Sequence, residues 1–252
     1  MTLEIINLIT AIWILLCIIA FPYLLKTTQP YGRHISETWG PMINNKLGWI
    51  IQEVPSMIFL SIFFFTGNGV KSNAAWLFWA LWMLHYINRT FIFPMRTRTT
   101  GKKIPLAIVG SAIFFNFMNG FLNGYYLGNF AGSYTDAYFT SPQFIVGLLI
   151  FITGAFINNY SDNILINLRK PGETGYKIPN GGLFKFVSCP NMLGEITEWM
   201  GFAIMVGSLP ALSFFLWTAV NLIPRTLDHH KWYLQKFSDY PKERKAVIPF
   251  VL

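Results

Sequence analysis

WIIQEVPSMIFLSIFFF, residues 49–65, is apolar for nearly the length of a membrane crossing, except that Gln52 and Glu53 sit side by side four residues in. A hydrocarbon core of ~30 Å takes about 20 helical residues at ~1.5 Å rise each. A charge at its centre costs at least ~2.5–3.5 kcal/mol, so an ionisable residue there normally faces a cavity or a partner. The rest of the chain shares this character: of 252 residues 53% are hydrophobic and 12% charged, with a mean hydropathy of +0.43. A soluble domain carries about a quarter charged residues. The composition therefore implies a bilayer as solvent.

Apolar stretches long enough for spans fall at 3–25, 48–66, 74–94, 104–126, 142–160, 194–208 and 210–223, the last two short and joined by SLPAL. The first is too long for a signal-peptide core and lacks a small-residue cleavage pattern, so it is expected to stay as a helix. The net charge of +8 is not spread as a nucleic-acid surface would need; alternate loops carry it. By the positive-inside rule, 17 of the 19 basic residues share one side, with only Lys71 opposite and Arg89 inside a span. The expected fold is all-α and integral to the membrane. It has seven transmembrane helices, the N-terminus outside, the C-terminus cytosolic, and a large cytosolic loop (161–190) between helices 5 and 6. No linker divides the chain, so residues 1–252 form one membrane domain, and a monomer is the expected unit. Cys17 and Cys189 lie far apart in that topology and are expected as free thiols.

The topology gathers the intramembrane polar residues at one depth, in the cytosolic half. Gln52 and Glu53 enter on span two; His85, Tyr86, Asn88 and Arg89 end span three; Asn158, Asn159 and Asp162 close span five; Glu195 and Glu198 open span six; Arg225 follows span seven. Two readings stand for each alone: a packing network, with Glu53 paired to Arg89 and amides as interhelical glue, or the wall of a cavity. Taken as a set on one leaflet, they point to a cavity open to a polar cytosolic ligand. Asn116, Asn119 and Asn123, on one face of span four, read as a packing seam.

The chain has no GxGxxG after a strand and no phosphate-binding loop, and it lacks the alternating strands of a Rossmann domain. An anionic cofactor would need arginines instead, whose planar fork pairs with phosphate. Arg96, Arg98, Arg169, Lys170 and Arg225 lie on the cytosolic rim, where anionic headgroups would equally favour them. Four histidines, His34, His85, His229 and His230, are too few and too scattered for a membrane di-iron centre, and no metal site is expected. His229 and His230 project ~100° apart on a helix, which suits hydrogen bonding. Asn191 reads as an N-cap with Glu195 one turn on, and acidic residues there also suit the helix dipole.

Several segments together resemble the steroid 5α-reductase family of integral-membrane NADPH-dependent reductases. They are QEVP, HYINRTF, the long run INNYSDNILINLRKPGETGYKIPNGGLFKFVSCPNMLGEITEWMGFAI, SLPAL, and HHKWYLQKFSDYPKERKAVIPF. The likeness covers most of the chain from Gln52 onward. The chain departs from the family pattern at QEVP for QELP, HYINRTF for HYFHRTF, and in PMRTRTTGKKIP. The resemblance implies that helices 1–4 (about 1–130) enclose an apolar 3-oxo-Δ4 steroid. Helices 5–7 with the cytosolic loops (about 140–252) would hold NADPH. By matched motif, Glu53 and Tyr86 would bind the steroid carbonyl with Gln52 beside them. Asn158, Asp162, Arg169, Tyr176, Asn191, Glu195, Arg225, His229 and Tyr233 would contact the cofactor, and Arg89, Arg96 and Arg98 follow on a weaker match. Glu195 would face the ligand and Glu198 would be structural. The compartment implied is the endoplasmic reticulum in a eukaryote or the cytoplasmic membrane in a bacterium.

The chemistry agrees with that resemblance. Hydride attack on an enone drives negative charge onto the carbonyl oxygen, and one preorganised donor there is worth ~2.7–4 kcal/mol. Tyr86 offers a hydroxyl; Glu53, in a low dielectric, favours its protonated form and offers a second. Ketosteroid isomerase uses a tyrosine with a neutral carboxylic acid in this way on another 3-oxosteroid. Other readings remain open at this level: a reductase of a polyprenal or enoyl-CoA, an isoprenylcysteine-type methyltransferase using S-adenosylmethionine, or a lipid-binding scaffold whose polar belt only packs helices.

Overall fold

The computed structural model describes residues 1–30, 32–36, 39–99, 101–170, 173 and 175–252; Pro171, Gly172 and Thr174 of the LRKPGETGYK run lie outside them. Helices occupy every stretch read as a span: α1 (Leu3–Lys26), α2 (Asn45–Thr66), α3 (Asn73–Ile87) continued by α4 (Phe93–Arg96), α5 (Leu106–Asn129), α6 (Pro142–Asn167), α7 (Pro190–Val206) and α8 (Leu209–Lys236). Four of them, α1, α2, α5 and α6, are long and apolar enough to cross a bilayer, and the architecture is that of an all-α membrane protein. The exception is a two-stranded antiparallel ribbon, β1 (Met42–Asn44) with β2 (Lys103–Pro105), which ties the loops before α2 and α5.

Local chemistry sets the helix starts. Asn44 accepts from the N–H groups of Lys46 and Leu47 to cap α2, Ser72 caps α3, and Ser141 caps α6 ahead of Pro142; each satisfies donors the helix cannot. The reading of Asn191 as a cap is corrected. Cys189 precedes α7, Pro190 takes the first turn where its missing N–H costs nothing, and Asn191 turns its amide to Asp162. The loop expected at 161–190 is also shorter than read. α6 runs on to Asn167, because YSDNILIN (160–167) continues an apolar face that polar residues interrupt without breaking.

Two close helix pairs carry the fold. Gly147 and Gly154 of α6 interlock with Gly194 and Gly201 of α7, where a Cβ would collide with the opposing backbone. Gly120, Gly124 and Gly128 of α5 meet the backbone of α2 around Ser56, Leu60 and Phe63 in the same manner. Small residues let helices approach when lipid gives them no hydrophobic reason to associate. Between the pairs lies an aromatic core: Trp82 stands 5.0 Å from Trp199 and 4.4 Å from Phe214, with Tyr86 stacked 5.6 Å from Trp82. Beyond α8 the chain returns and pairs with the segment before α7: Lys245 N–H donates to Phe186 O (2.9 Å) and Ser188 N–H to Lys245 O (2.8 Å).

Candidate active site

The residues that made 49–65 unusual point inward. On α2, Gln52 is buried, and its Nε2 donates to Glu53 Oε1 at 3.0 Å. On α3, Tyr86 is 5% exposed and its hydroxyl donates to Asn116 Oδ1 of α5 at 3.3 Å. The Asn116 amide in turn donates to the Gln52 carbonyl at 2.6 Å. Asn116 thus links the two helices that carry Gln52–Glu53 and Tyr86. Sequence reasoning placed it in a packing seam with Asn119 and Asn123. Those two do pack: Asn119 accepts from the Trp13 indole at 3.2 Å and Asn123 donates to Pro210 O at 3.3 Å. Gln52 Oε1 is buried with no protein partner among the described residues, a lone acceptor of a kind native interiors rarely leave unexplained.

One turn further along the third span the regular helix breaks. Residues Asn88–Ile92 form a π-turn, a one-residue expansion often found at functional sites. Arg89 emerges from it, packed over the Phe93 and Trp49 rings (4.5 and 5.4 Å), and Trp49 Nε1 donates to the Arg89 carbonyl at 2.8 Å. Its guanidinium meets Asp162 at 3.0 Å and Glu195 at 3.7 Å. The pairing of Arg89 with Glu53 read from the sequence is therefore corrected: two carboxylates from α6 and α7 hold the cation. Asn191 donates to Asp162 Oδ1 (3.0 Å), and Asn158 donates to Asn191 O (2.9 Å) and Glu195 Oε2 (3.5 Å). Five expected site residues, Arg89, Asn158, Asp162, Asn191 and Glu195, thus form one continuous belt. Beside it His85 Nδ1 lies 2.9 Å from Glu198 Oε1, both buried.

A second cluster gathers on the rim. Tyr233 and Trp232 of α8 lie with Tyr176 around Arg33, whose guanidinium is 4.5, 4.8 and 5.5 Å from the three rings, and Arg33 Nη2 donates to the Tyr233 hydroxyl at 3.3 Å. Arg33 Nη1 is buried with no protein partner among the described residues. His34 Nε2 and His229 Nδ1 stand 3.0 Å apart, rings stacked at 5.1 Å. A small recess beside them is lined by Gln29, His34, Arg225, Asp228 and His229. Burial, then Arg33, holds both imidazoles below the ordinary histidine range, while Asp228 partly offsets this at His34. Burial pushes the Tyr233 phenol up, partly offset by Arg33. Sequence reasoning counted Arg33 only as a topological charge. Its one signal was adjacency to a histidine in a basic loop, and the contact spans 200 residues of sequence.

The remaining arginines sit apart from both clusters' centres. Arg96 donates to Asn163 Oδ1 at 2.7 Å, Arg98 donates to the Arg169 carbonyl, and Arg169 donates to Gly175 O at 3.2 Å. They brace the end of α6 and the loop leading to Tyr176, and Arg169 reaches within 6.0 Å of that ring. Tyr176 also lines an open groove of about 390 Å³ with Lys177, Ile178, Asn180, Phe237, Asp239 and Pro241. Cations, aromatic faces and an unfilled guanidinium nitrogen make a donor set suited to an anionic, ring-bearing cofactor. Among the described residues no cluster fit for a metal ion occurs.

Comparison with known proteins gives the family. A family model described as 3-oxo-5-alpha-steroid 4-dehydrogenase matches residues 102–252. The steroid 5-alpha-reductase DET2 of Solanum lycopersicum is 40% identical, with 97% of this chain and 97% of that protein covered. DET2 of Arabidopsis thaliana is 39% identical over 90% of each, and 3-oxo-5-alpha-steroid 4-dehydrogenase 1 of Mus musculus 40% identical over 94% of this chain and 93% of its own length. At that identity and coverage, the chain belongs to the steroid 5-alpha-reductase family of oxidoreductases.

Proposed function

We propose that this protein uses NADPH to reduce the Δ4 double bond of a 3-oxo-Δ4 steroid to the 5α-dihydrosteroid. The observation that carries the reading is the Gln52–Glu53–Asn116–Tyr86 constellation: two side chains able to donate, linked through hydrogen bonds, with Gln52, Asn116 and Tyr86 buried and Glu53 half-buried. The steroid's 3-oxo group would sit between Glu53 and Tyr86. With Glu53 Oε1 already accepting from Gln52, its proton rides on the other carboxyl oxygen and donates to the ketone. The Tyr86 hydroxyl, on a long 3.3 Å bond to Asn116, exchanges that acceptor for the ketone. Bound NADPH would supply a hydride for C5. As the electron pair of the double bond moves to the carbonyl oxygen, both donors stabilise the enolate, each by ~2.7–4 kcal/mol. C4 then takes a proton as the ketone is restored.

The cofactor would be held in two zones. Arg33, Arg225, His229, Tyr233, Tyr176 and Arg169 suit its phosphates and adenine end. Asn158, Asp162, Asn191 and Glu195, with Arg89 among them, suit the carboxamide of the nicotinamide. Arg96 and Arg98 position the loop around Arg169. In this reading all seven long helical segments cross the bilayer, the N-terminus outside and the C-terminus cytosolic. Residues of about 1–130 enclose the steroid and those of about 140–252 hold the cofactor. The membrane is the endoplasmic reticulum or, in a bacterium, the cytoplasmic membrane.

Incubating the purified protein with NADPH and testosterone or progesterone, and identifying the product by mass and retention time, tests the reading. A product two hydrogens heavier that co-elutes with the 5α standard supports it. NADPH left unoxidised with either steroid, by folded protein, overturns it.

A further inference from the structure

The C-terminal end of α6 leads onto an apolar surface that neither helix packing nor the proposed chemistry uses. Ile145, Leu149, Ile152, Phe156 and Tyr160 stand exposed at three- and four-residue spacing, the outward stripe of a helix apolar enough to cross a bilayer. The surface continues past the helix: Gly182 lies against the Tyr160 ring. Four residues on, Phe186 is 42% exposed with its ring 5.6 Å from Phe250. Phe250 and its neighbour Val251 are 80% and 73% exposed. This tip is held in place. Val247 and Ile248 N–H both donate to Leu252 O at 2.8 and 2.7 Å, and Lys245 pairs with Phe186 through the backbone. Phe250 takes φ +66°, a conformation bulky residues rarely adopt, and presents its ring outward. Exposed Lys185 and Lys245 flank the rings, with Lys242 and Glu243 behind.

We propose that this tip is an interfacial foot, in which Phe186, Phe250 and Val251 enter the boundary between headgroups and acyl chains while Lys185 and Lys245 engage anionic phospholipid headgroups. Two observations select lipid as the occupant. The patch is continuous with the lipid-facing stripe of α6, and aromatic rings with lysines at their edge are the composition of membrane-interface segments. The backbone pairing of residues 186–189 with 245–246 then fastens the segment between Tyr176 and α7 to the bilayer surface as well as to the helices.

The test places a polarity-sensitive fluorophore at Phe250→Cys in the full-length chain, where native Cys17 and Cys189 are buried. The protein goes into nanodiscs at one copy per disc, of phosphatidylcholine alone or with phosphatidylserine, each doped with phospholipid spin-labelled near the headgroup or near the chain end. The expected result is blue-shifted emission quenched more by the shallow spin label than by the deep one. Quenching should strengthen with phosphatidylserine and weaken again in Lys185→Glu/Lys245→Glu. Emission as in water with no quenching in either composition overturns the proposal. So does a blue shift that appears only with several copies per disc, which would assign the patch to a second copy of the chain.

Discussion

In the inner belt Arg89 meets Asp162 and Glu195, and His85 meets Glu198, each side chain issuing from a helix. At the rim Arg33 leaves a short 3-10 turn to lie among three aromatic rings, with one nitrogen buried and unpartnered among the described residues. The first region has met its charges within itself, which suits a place that aligns reacting atoms. The second holds one guanidinium nitrogen and ring faces in reserve, as a place that receives an anion needs to. Charge alone does not tell the two regions apart; what does is whether it has been answered within the protein, as in the belt, or left open, as at Arg33 Nη1.

The hardest blow to that contrast is Arg89→Leu. It strands the buried Asp162 and the half-buried Glu195 carboxylates and is expected to destabilise the protein by ~3–5 kcal/mol, read as a large drop in thermal midpoint in detergent. Arg89→Lys should recover part of it. A midpoint like the parent's would show the belt to be less self-sufficient than its geometry implies. Glu53→Gln and Tyr86→Phe come next: each is expected to lower kcat by about 10²–10³ while leaving the unfolding midpoint near the parent's, since Tyr86→Phe keeps its ring on Trp82. Activity retained in Glu53→Gln would remove the carboxyl proton from the mechanism.

At the rim, Arg33→Ala should raise KM for NADPH by about ten- to a hundredfold, matching ~1.5–3 kcal/mol for a charged hydrogen bond, with kcat largely spared. An unchanged KM would detach Arg33 from cofactor binding. The smallest effect concerns His34 and His229, which lie outside the spans and are held below the usual histidine range by burial and by Arg33. The unfolded chain binds protons there more readily than the folded one. Their contribution to stability is therefore full above about pH 6.5 and is lost as pH falls below it. Thermal midpoints recorded from neutral to about pH 5 should decline, and His229→Gln should flatten the decline; parallel curves would refute this origin.

Much of the fold was legible because apolar runs in a membrane protein must be helices, with nothing else satisfying the backbone in hydrocarbon. The inner belt was legible because a polar residue inside such a run stands out, as Arg89, Asp162 and Glu195 did. What stayed hidden depended on three-dimensional choices between equivalent partners. Arg89 had Glu53, Asp162 and Glu195 within reach on paper, and the helix register chose the last two. Asn191 had the build of a cap until Pro190 took that turn. Arg33 was one of many basic loop residues, and only the return of α8 beside it gave it neighbours.

The π-turn at Asn88–Ile92 bears on how this protein should be mutated. A helix with one extra residue tucked into it can be returned to regular form by losing one. That loss would leave Phe93–Arg96 close to its present register, with Arg96 still on Asn163, whereas one residue deleted from regular helix swings everything beyond it by ~100°. Arg89 apart, alanine scanning would pass over the segment almost silently. Single-residue deletions would find it, because there the count of residues matters more than their identity.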